Sequence, residues 1–517
     1  MSTGQTLNGH AAQTRHYVLR ILEGLEEDPA RIAVHSWDGA LTAAEFRGAV
    51  ANAATSLSRA GTGPTDTVAV LTEPNCPAML AARYAAHLLG AAVTHIRSMN
   101  ARSDKDALPA AEQARVLRAT GARTLVVDGP NLRRGRALCE EADGVVLVAP
   151  ADAAHATGDI PPPAPREPGN PAVVDLTSGT TGRPKLVRRS FGVRDLLVDL
   201  SFGASAPEHR PTLLSVTPIS HATATMVDAA LAAGGSVVLH NGFQVDDVLR
   251  ALTEQRVTDV YLAVPHLYQL IDRPGIDEAV FPALRQVLYS GTAAAPSRIA
   301  RAAQVFGNAL AQLYGSTEAG GMCTLTPLDH CEPELLSAVG RPFPWVEMEI
   351  RRPGSGEKAE RGEAGEVCVR SPTVMDGYIG EEELGESVVR DGWLRTGDLG
   401  HWDRYGYLHL LGRIGSVVKA NGIKIHPSAV EEVLLRHPDV ANAVVYGIRD
   451  AGYAEHLRAA VQLRTGALRT AGRLRSHIAD SLSPAHVPES FSWWEEIPIN
   501  SSGKPDYAAL RGRKDAQ

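Results

Sequence analysis

The feature that most constrains this chain is a rhythm along its N-terminal half. From about Thr42 to Leu313, short β-branched and aliphatic runs alternate with longer Ala- and Leu-rich segments. Residues 68–71 read as a strand, and residues 78–89 as a helix with an alanine-rich face. Residues 124–128 and 144–148 read as further strands. The pairs 236–239 with 245–255, and 259–263 with 265–271, repeat the strand-then-helix pattern. A strand that is apolar on both faces needs cover on both, and intervening helices supply it. The expected class is α/β, with layered parallel sheets in a large N-terminal domain.

After about Glu332 the texture changes. Strands predicted over 346–350, 365–370 and 407–411 lie between Gly- and charge-rich turns, as in a small β-subdomain. Beyond Ile414, predicted helices over 427–436 and 470–482 and strands over 441–447 and 458–463 outline a compact α+β unit. A chain of 517 residues has room for a long α/β domain with a smaller partner. The expected division is 1–412 and 413–517, with the junction at Gly412, Arg413, Ile414 and Gly415, where glycine eases backbone rotation. Six prolines between Ile160 and Pro171 mark a surface connector. No short-period repeat of the solenoid kind is visible.

Composition narrows the partners. Acidic residues outnumber basic ones, 59 to 51, giving a net charge of −8, and aromatics are only 5%. Neither the charge nor the aromatic content is that of a nucleic-acid binder. The five cysteines are scattered without a Cys-x-x-Cys pair, which fits a reducing compartment. No signal-peptide layout opens the chain, and no window approaches the ~18 apolar residues of a membrane span. The expectation is an acidic cytoplasmic enzyme, monomeric or homodimeric, with no nucleic-acid or membrane partner. His87, His330 and His437 show no metal-ligand spacing.

The strongest local signal is Leu176, Thr177, Ser178, Gly179, Thr180, Thr181, Gly182, Arg183, Pro184, Lys185. It follows the apolar run 172–174 and precedes a stretch, around Val193 to Leu200, that reads as helical. Glycines and small hydroxylic residues let successive backbone N–H groups converge on phosphate oxygens, while the hydroxyls and Lys185 add donors and charge. The glycine–lysine spacing is not that of a Walker A loop.

This segment resembles the phosphate-binding loop of the adenylate-forming superfamily, which includes acyl-CoA synthetases, peptide-synthetase adenylation domains and luciferases. Further matches follow in family order. Gln312, Leu313, Tyr314, Gly315, Ser316, Thr317 and Glu318 resemble the aromatic-Gly-x-Thr-Glu motif. Trp393 to Asp398 resemble the ribose motif, and Gly412-Arg413 the arginine that follows it. Asn500 to Lys504 resemble the C-terminal catalytic-lysine motif. Residues 217–221, 339–342 and Gly377-Tyr378 match more weakly. The resemblance covers roughly Leu41 to Leu510.

It implies ATP and Mg²⁺ as cofactors, a carboxylic or related oxyacid as substrate, and an acyl-adenylate as intermediate. Glu318 is similar to the magnesium ligand, since Mg²⁺ suits hard carboxylate oxygen. Thr317 would hold an α-phosphate oxygen. Asp398 and Arg413 would hold the ribose, and Tyr314 would stack on adenine. Lys504 would stabilise charge as it develops on the phosphoanhydride. Taken singly, Glu318 reads equally as an acid at a helix N-terminus, Asp398 as a turn former and Lys504 as a solvated lysine. His221, counted with the catalytic residues, matches the position that lines and gates the pocket for the acid's carboxylate, with Ala222 beside it. Gly291, Thr292, Ala293 and Ala294, with Gly320, Gly321 and Met322, would form its other small walls, and Gly291, Thr292 and Ala293 would also border the ATP. Such walls leave space for an aryl or medium-chain acid.

The text departs from the family pattern where the second half-reaction is concerned. Leu186 follows Lys185, Gly415 stands at the hinge, and Asn421-Gly422 replaces a Gly-Gly pair at the acceptor tunnel. Ala429 replaces the first glutamate of the next helix, whereas Glu431 is retained. CoA is the expected acceptor, with an amine or a carrier-protein thiol as alternatives; the amine case includes amide-forming and diazo-forming ligases. A catalytically silent nucleotide-binding paralogue is the remote alternative, and it predicts loss of Glu318, Asp398, Arg413 or Lys504. All four are present. Together with Lys185, two of these cations and Mg²⁺ imply a locally cationic site on an acidic protein.

Overall fold

The computed structural model describes residues 15–97, 108–142, 144–149, 159–177, 184–202, 210–220, 223–420, 423–449, 455–499 and 504–512. Among these residues, two large sheets organise the N-terminal part. Six parallel strands form the body of the first, in the order Leu310–Ser316, Gln286–Ser290, Asp259–Ala263, Thr212–Ser215, Ser236–Leu239 and Ile32–Ser36. Antiparallel strands close its edges. The second sheet runs parallel through Pro171–Thr177, Ala92–His95, Thr67–Leu71, Thr124–Val127 and Val146–Val148.

The two sheets share one helical layer. Helices Tyr17–Glu27, Ala43–Arg59, Pro77–Leu88 and Thr223–Ala232 bury Ile21, Phe46, Leu80 and Val227 in a core that also takes Val34 and Val237 from the first sheet and Val68 and Val93 from the second. The outer face of the first sheet is covered by helices Val245–Glu254, Val264–Ile271 and Pro296–Phe306. That of the second is covered by Ala110–Thr120 and Leu132–Glu141. Full cover explains why so many strands read as continuous apolar runs: both faces are interior.

Two elements lie outside the pattern read from the sequence. Between the glycine-rich loop and the helix expected around 193–200, Lys185–Ser190 is a strand pairing antiparallel with Pro171–Thr177 and setting Lys185 opposite Thr177. The expected helix follows as Phe191–Phe202. A Lys-Leu-Val-Arg-Arg-Ser run has weak apolar alternation, so its extended form comes from the partner strand. At the other end, helix Tyr17–Glu27 and strand Ile32–Ser36 precede the rhythm read from Thr42 onward. Thr42 then caps helix Ala43–Arg59 reciprocally with Glu45, a capping box written in the sequence.

An antiparallel sheet of Glu347–Arg351, Gly365–Arg370, Trp393–Trp402, Val389–Arg390 and Leu408–Arg413 forms the expected β-subdomain. The C-terminal unit packs helices Pro427–Arg436 and Ala471–Ser481 on the sheet Val440–Arg449, Glu455–Leu463, Ser490–Trp494. It meets the N-terminal part where Gln269 Nε2 donates to Glu496 Oε1 at 2.7 Å. It also does so where the Ser428 hydroxyl donates to the Leu411 carbonyl. Gly412 lies under that second contact at φ 126°, and a Cβ there would stand 2.7 Å from Ser428 Oγ.

Glu431 lies on helix Pro427–Arg436 and accepts from the Val445 backbone N–H at 2.7 Å. Burial pushes its carboxyl up to about 7, because the charged form loses water. A carboxyl raised in the folded state binds more protons there than when unfolded. Its stabilising contribution is therefore complete below its ordinary value and is lost as pH rises toward 7. Glu431→Gln, which keeps the acceptor and cannot ionise, should raise the melting temperature at pH 8 relative to wild type and lessen the difference at pH 5. Parallel melting-temperature profiles for the two proteins would contradict this reading.

Candidate active site

The parallel strands of the first sheet all present their C-terminal ends along one edge, and the sequence-predicted segments follow those ends. Thr217 follows strand Thr212–Ser215, Gly291 follows Gln286–Ser290, and Thr317-Glu318 follow Leu310–Ser316. Ligands of open α/β sheets bind outside this edge. Thr177, which ends strand Pro171–Thr177, reaches the C-terminal edge of the second sheet. Ser178, Gly179, Thr180, Thr181 and Gly182 lie outside the described residues, as do His221, Ala222, Asn421 and Gly422.

Thr317 and Glu318 occupy a tight turn between Leu310–Ser316 and Gly320–Leu325, two antiparallel strands, and not the start of a helix. Gly315 makes the close approach possible: a Cβ there would sit 2.5 Å from the Gly320 carbonyl oxygen. The Ser316 hydroxyl accepts from the Ala319 N–H at 3.1 Å. From outside, the segment 373–378 props the turn. Met375 N–H donates to the Glu318 carbonyl at 2.7 Å and the Thr373 hydroxyl to the Ala319 carbonyl at 2.7 Å. The Tyr378 hydroxyl donates to Glu318 Oε1 at 3.0 Å.

Asp398 stands in strand Trp393–Trp402, directly opposite Arg413 in the paired strand Leu408–Arg413. Arg413 Nε donates to Asp398 Oδ1 at 2.9 Å, and the Tyr314 hydroxyl donates to Oδ2 at 2.7 Å. Asp398 is 7% exposed and Tyr314 8%. Burial and the neighbouring Asp398 carboxylate push the Tyr314 phenol well up, so it remains a donor. The same carboxylate raises Arg413 further. Each carboxylate oxygen keeps a second lone pair for another donor. Tyr314 thus braces Asp398 through its hydroxyl, which the sequence reading did not anticipate; stacking on adenine stays a proposal for its ring.

Lys504 completes the cluster from the C-terminal unit. Its ammonium is held below the ordinary lysine range, first by burial and then by the Arg413 guanidinium, while Glu318 and Asp398 act in the opposite direction. Lys185 Nζ stands 5.0 Å from the centre of the Tyr378 ring. The fold therefore gathers Lys185, Tyr314, Glu318, Tyr378, Asp398, Arg413 and Lys504 from six separate stretches of sequence. Tyr378 is the member whose role sequence reasoning missed; the weak Gly377-Tyr378 match was its only signal. Met322, expected as a pocket wall, is wholly buried in the core beneath this cluster. Gly320 faces Leu197 and Thr373, and Gly321 faces Leu313 and Phe343. Thr292 and Ala293 lie between Gly291 and helix Pro296–Phe306.

One carboxylate, Glu318, offers a hard oxygen at the turn, and among the described residues no group of three or more His, Cys, Asp or Glu side chains is arranged to hold a metal ion. That donor set fits Mg²⁺, which takes one or two protein carboxylates and leaves its other positions to phosphate and water. Removing the Tyr378 hydroxyl should loosen this carboxylate without deleting it. Tyr378→Phe should raise the Mg²⁺ concentration needed for half-maximal activity by about three- to tenfold, the scale of one charged hydrogen bond near the surface. A titration indistinguishable from wild type would remove Tyr378 from the site.

Comparison with known proteins agrees with this geometry. Residues 23–379 match the AMP-binding enzyme family, and residues 429–504 match the AMP-binding enzyme C-terminal domain. The feruloyl-CoA synthase of an Amycolatopsis species is 33% identical over 92% of this chain and 94% of its own. The amide bond synthetase McbA from Marinactinospora thermotolerans superposes with a TM-score of 0.84 at 35% identity, covering 96% of this chain and 98% of that one. The o-succinylbenzoate coenzyme A synthetase of Bacillus subtilis, solved with ATP and magnesium ion, gives 0.79 at 27% identity over 95% and 99%. With both family regions matched in order over the fold they require, the chain belongs to the AMP-binding enzyme family of adenylate-forming ligases.

Proposed function

We propose that the protein activates an aryl-substituted carboxylic acid with ATP and passes the acyl group to the thiol of CoA. The observation that supports the reading is the cluster itself: Lys504 stands within the electrostatic reach of Glu318, Asp398 and Arg413, and in this reading it is the cation at the point where two anions meet. In the first half-reaction a carboxylate oxygen attacks the α-phosphorus of ATP, the bond from that phosphorus to the bridging oxygen breaks, and pyrophosphate leaves. Lys504 offsets the charge that develops between the two anions. Asp398, braced by Tyr314 and Arg413, accepts hydrogen bonds from the ribose hydroxyls and fixes the nucleotide. Thr317 donates to an α-phosphate oxygen, and the loop from Thr177 to Lys185 cradles the remaining phosphates. Magnesium, when bound, neutralises phosphate charge, with Glu318 as its protein ligand.

In the second half-reaction the acceptor sulfur attacks the acyl carbon, the bond to the phosphate oxygen breaks, and AMP leaves. The C-terminal unit beyond Gly415 rotates about that residue to withdraw Lys504 and present the segment containing Asn421 and Gly422, while Arg413 stays paired with Asp398. An aryl acid and CoA are supported by the likeness to feruloyl-CoA synthase across nearly the whole chain. A second reading takes an amine nitrogen as the nucleophile in the same step. It is favoured by 35% identity to an amide bond synthetase over 96% of the chain.

Mass spectrometry of products separates the readings. Aryl acids are incubated with Mg·ATP and CoA, with simple primary amines, or with neither. A CoA thioester formed faster than any amide supports the first reading. Amide formation unaffected by CoA, with no thioester, overturns it in favour of the second.

A further inference from the structure

Far from the nucleotide cluster, two buried side chains of the second sheet's framework reach across to the first. Asn75 lies just beyond strand Thr67–Leu71, and Arg83 lies within helix Pro77–Leu88. Each is 1% exposed. Asn75 Nδ2 donates to the Thr217 carbonyl at 3.0 Å and the His240 carbonyl at 2.9 Å, while its Oδ1 accepts from the Ile219 N–H at 2.9 Å. Arg83 Nη1 donates to the Ile219 carbonyl at 2.7 Å. Both backbone groups of Ile219 are therefore held by side chains from about 140 residues earlier in the chain.

The arrangement is a clamp and not a general packing contact. The second guanidinium nitrogen of Arg83 donates to Asp228 Oδ1 at 2.6 Å, within helix Thr223–Ala232. One planar group thus spans from Ile219 to the helix that follows it. Arg194 also pairs with Asp228, and the Tyr84 hydroxyl donates to it at 2.8 Å, so the far anchor is itself fixed. The Thr223 hydroxyl donates to the Pro218 carbonyl at 2.9 Å. Asn75 holds this position at φ 52°, a left-handed backbone that few residue types other than glycine and asparagine adopt readily.

The clamped backbone follows strand Thr212–Ser215 at the same edge as the Thr317 turn. It lies three strands from that turn, on the edge where open α/β sheets take their ligands. We infer that Asn75 and Arg83 are positioning residues that fix the backbone wall of the acid pocket at residues 217–220 and thereby help set which acid is accepted. The inference rests on the ligase reading above. Neither side chain touches substrate; each acts through the backbone of Ile219.

The test compares kcat/KM for acid-dependent pyrophosphate release with benzoate, phenylacetate and 3-phenylpropanoate. Asn75→Ala removes the amide bonds. Arg83→Lys keeps the charge near Asp228 but cannot reproduce two divergent N–H donors. Thr62→Ala serves as a control, because it deletes a buried hydrogen bond to Thr124 at the opposite edge of the second sheet. Both clamp variants should change the ratio between the longest and shortest acid by about tenfold, with KM for ATP within about twofold, whereas Thr62→Ala leaves the ratio unmoved. Unmoved ratios in an active, folded Asn75→Ala or Arg83→Lys protein overturn the inference, as does an equal change in the control. Wild-type protein inactive with every acid at the same ATP concentration overturns the ligase reading, and the inference with it.

Discussion

Replacing Lys504 with alanine should slow acyl-adenylate formation by about two to three orders of magnitude, while transfer from supplied acyl-adenylate stays within about threefold of wild type. The asymmetry follows from where charge grows. ATP and a carboxylate are both anions, and a fixed cation between them lowers the barrier only for the step in which they join. After the adenylate forms, the phosphate leaves with the electrons it needs, and the lysine has no further charge to offset. Equal loss of both half-reactions would contradict the assigned role. A second signature comes from protonation. Burial and Arg413 hold the Lys504 ammonium below its ordinary range, and only the protonated form can act. The kcat/KM for adenylation should therefore fall as pH rises through a value below that of an ordinary lysine, and this alkaline limb should be missing from the Lys504→Ala protein.

Glu318→Gln should reduce adenylation by about a hundredfold at fixed Mg²⁺, about 2.7 kcal/mol of transition-state stabilisation. The amide retains the size and the hydrogen bond from the Tyr378 hydroxyl, so the turn should keep its shape. What it loses is the negative charge that holds a hard cation against the phosphates. Excess Mg²⁺ should recover part of the rate in Glu318→Gln, whereas it should recover none in Lys504→Ala. A Glu318→Gln protein with wild-type rate at wild-type Mg²⁺ would remove the carboxylate from the site.

Much of this architecture is legible in local sequence, and the exceptions share a cause. Strands Asp259–Ala263 and Gly365–Arg370 and helix Pro427–Arg436 coincide with their sequence-predicted ranges, because their apolar periodicity is strong and their ends carry turn residues or proline. Lys185–Ser190 reads poorly because its extension is imposed by Pro171–Thr177. Strand Ile32–Ser36 pairs with Ser236–Leu239, some two hundred residues away, and nothing in its five residues announces that partner. The nucleotide cluster was legible as motifs, since Glu318, Asp398, Arg413 and Lys504 each sit in recognisable local text. Their supports were not. The Tyr314 bond to Asp398, the Tyr378 bond to Glu318 and the Asn75 clamp on Ile219 join positions tens to more than a hundred residues apart. Such pairings are set by sheet order and strand register, which single-sequence patterns do not encode.

The net charge of −8 likewise says nothing about the site. Arg413, Lys185 and Lys504 stand along the C-terminal edge of the sheets while acidic side chains elsewhere outweigh them.

The most direct test of the central claim is acid-dependent exchange of labelled pyrophosphate into ATP. It reads the first half-reaction alone and needs no acceptor. With Mg²⁺ and an aryl acid that the protein accepts, label should enter ATP only when the acid is present, and the Lys504→Ala protein should show about a hundredfold less. Exchange that is absent with every acid tried, or that proceeds without acid, would contradict the account.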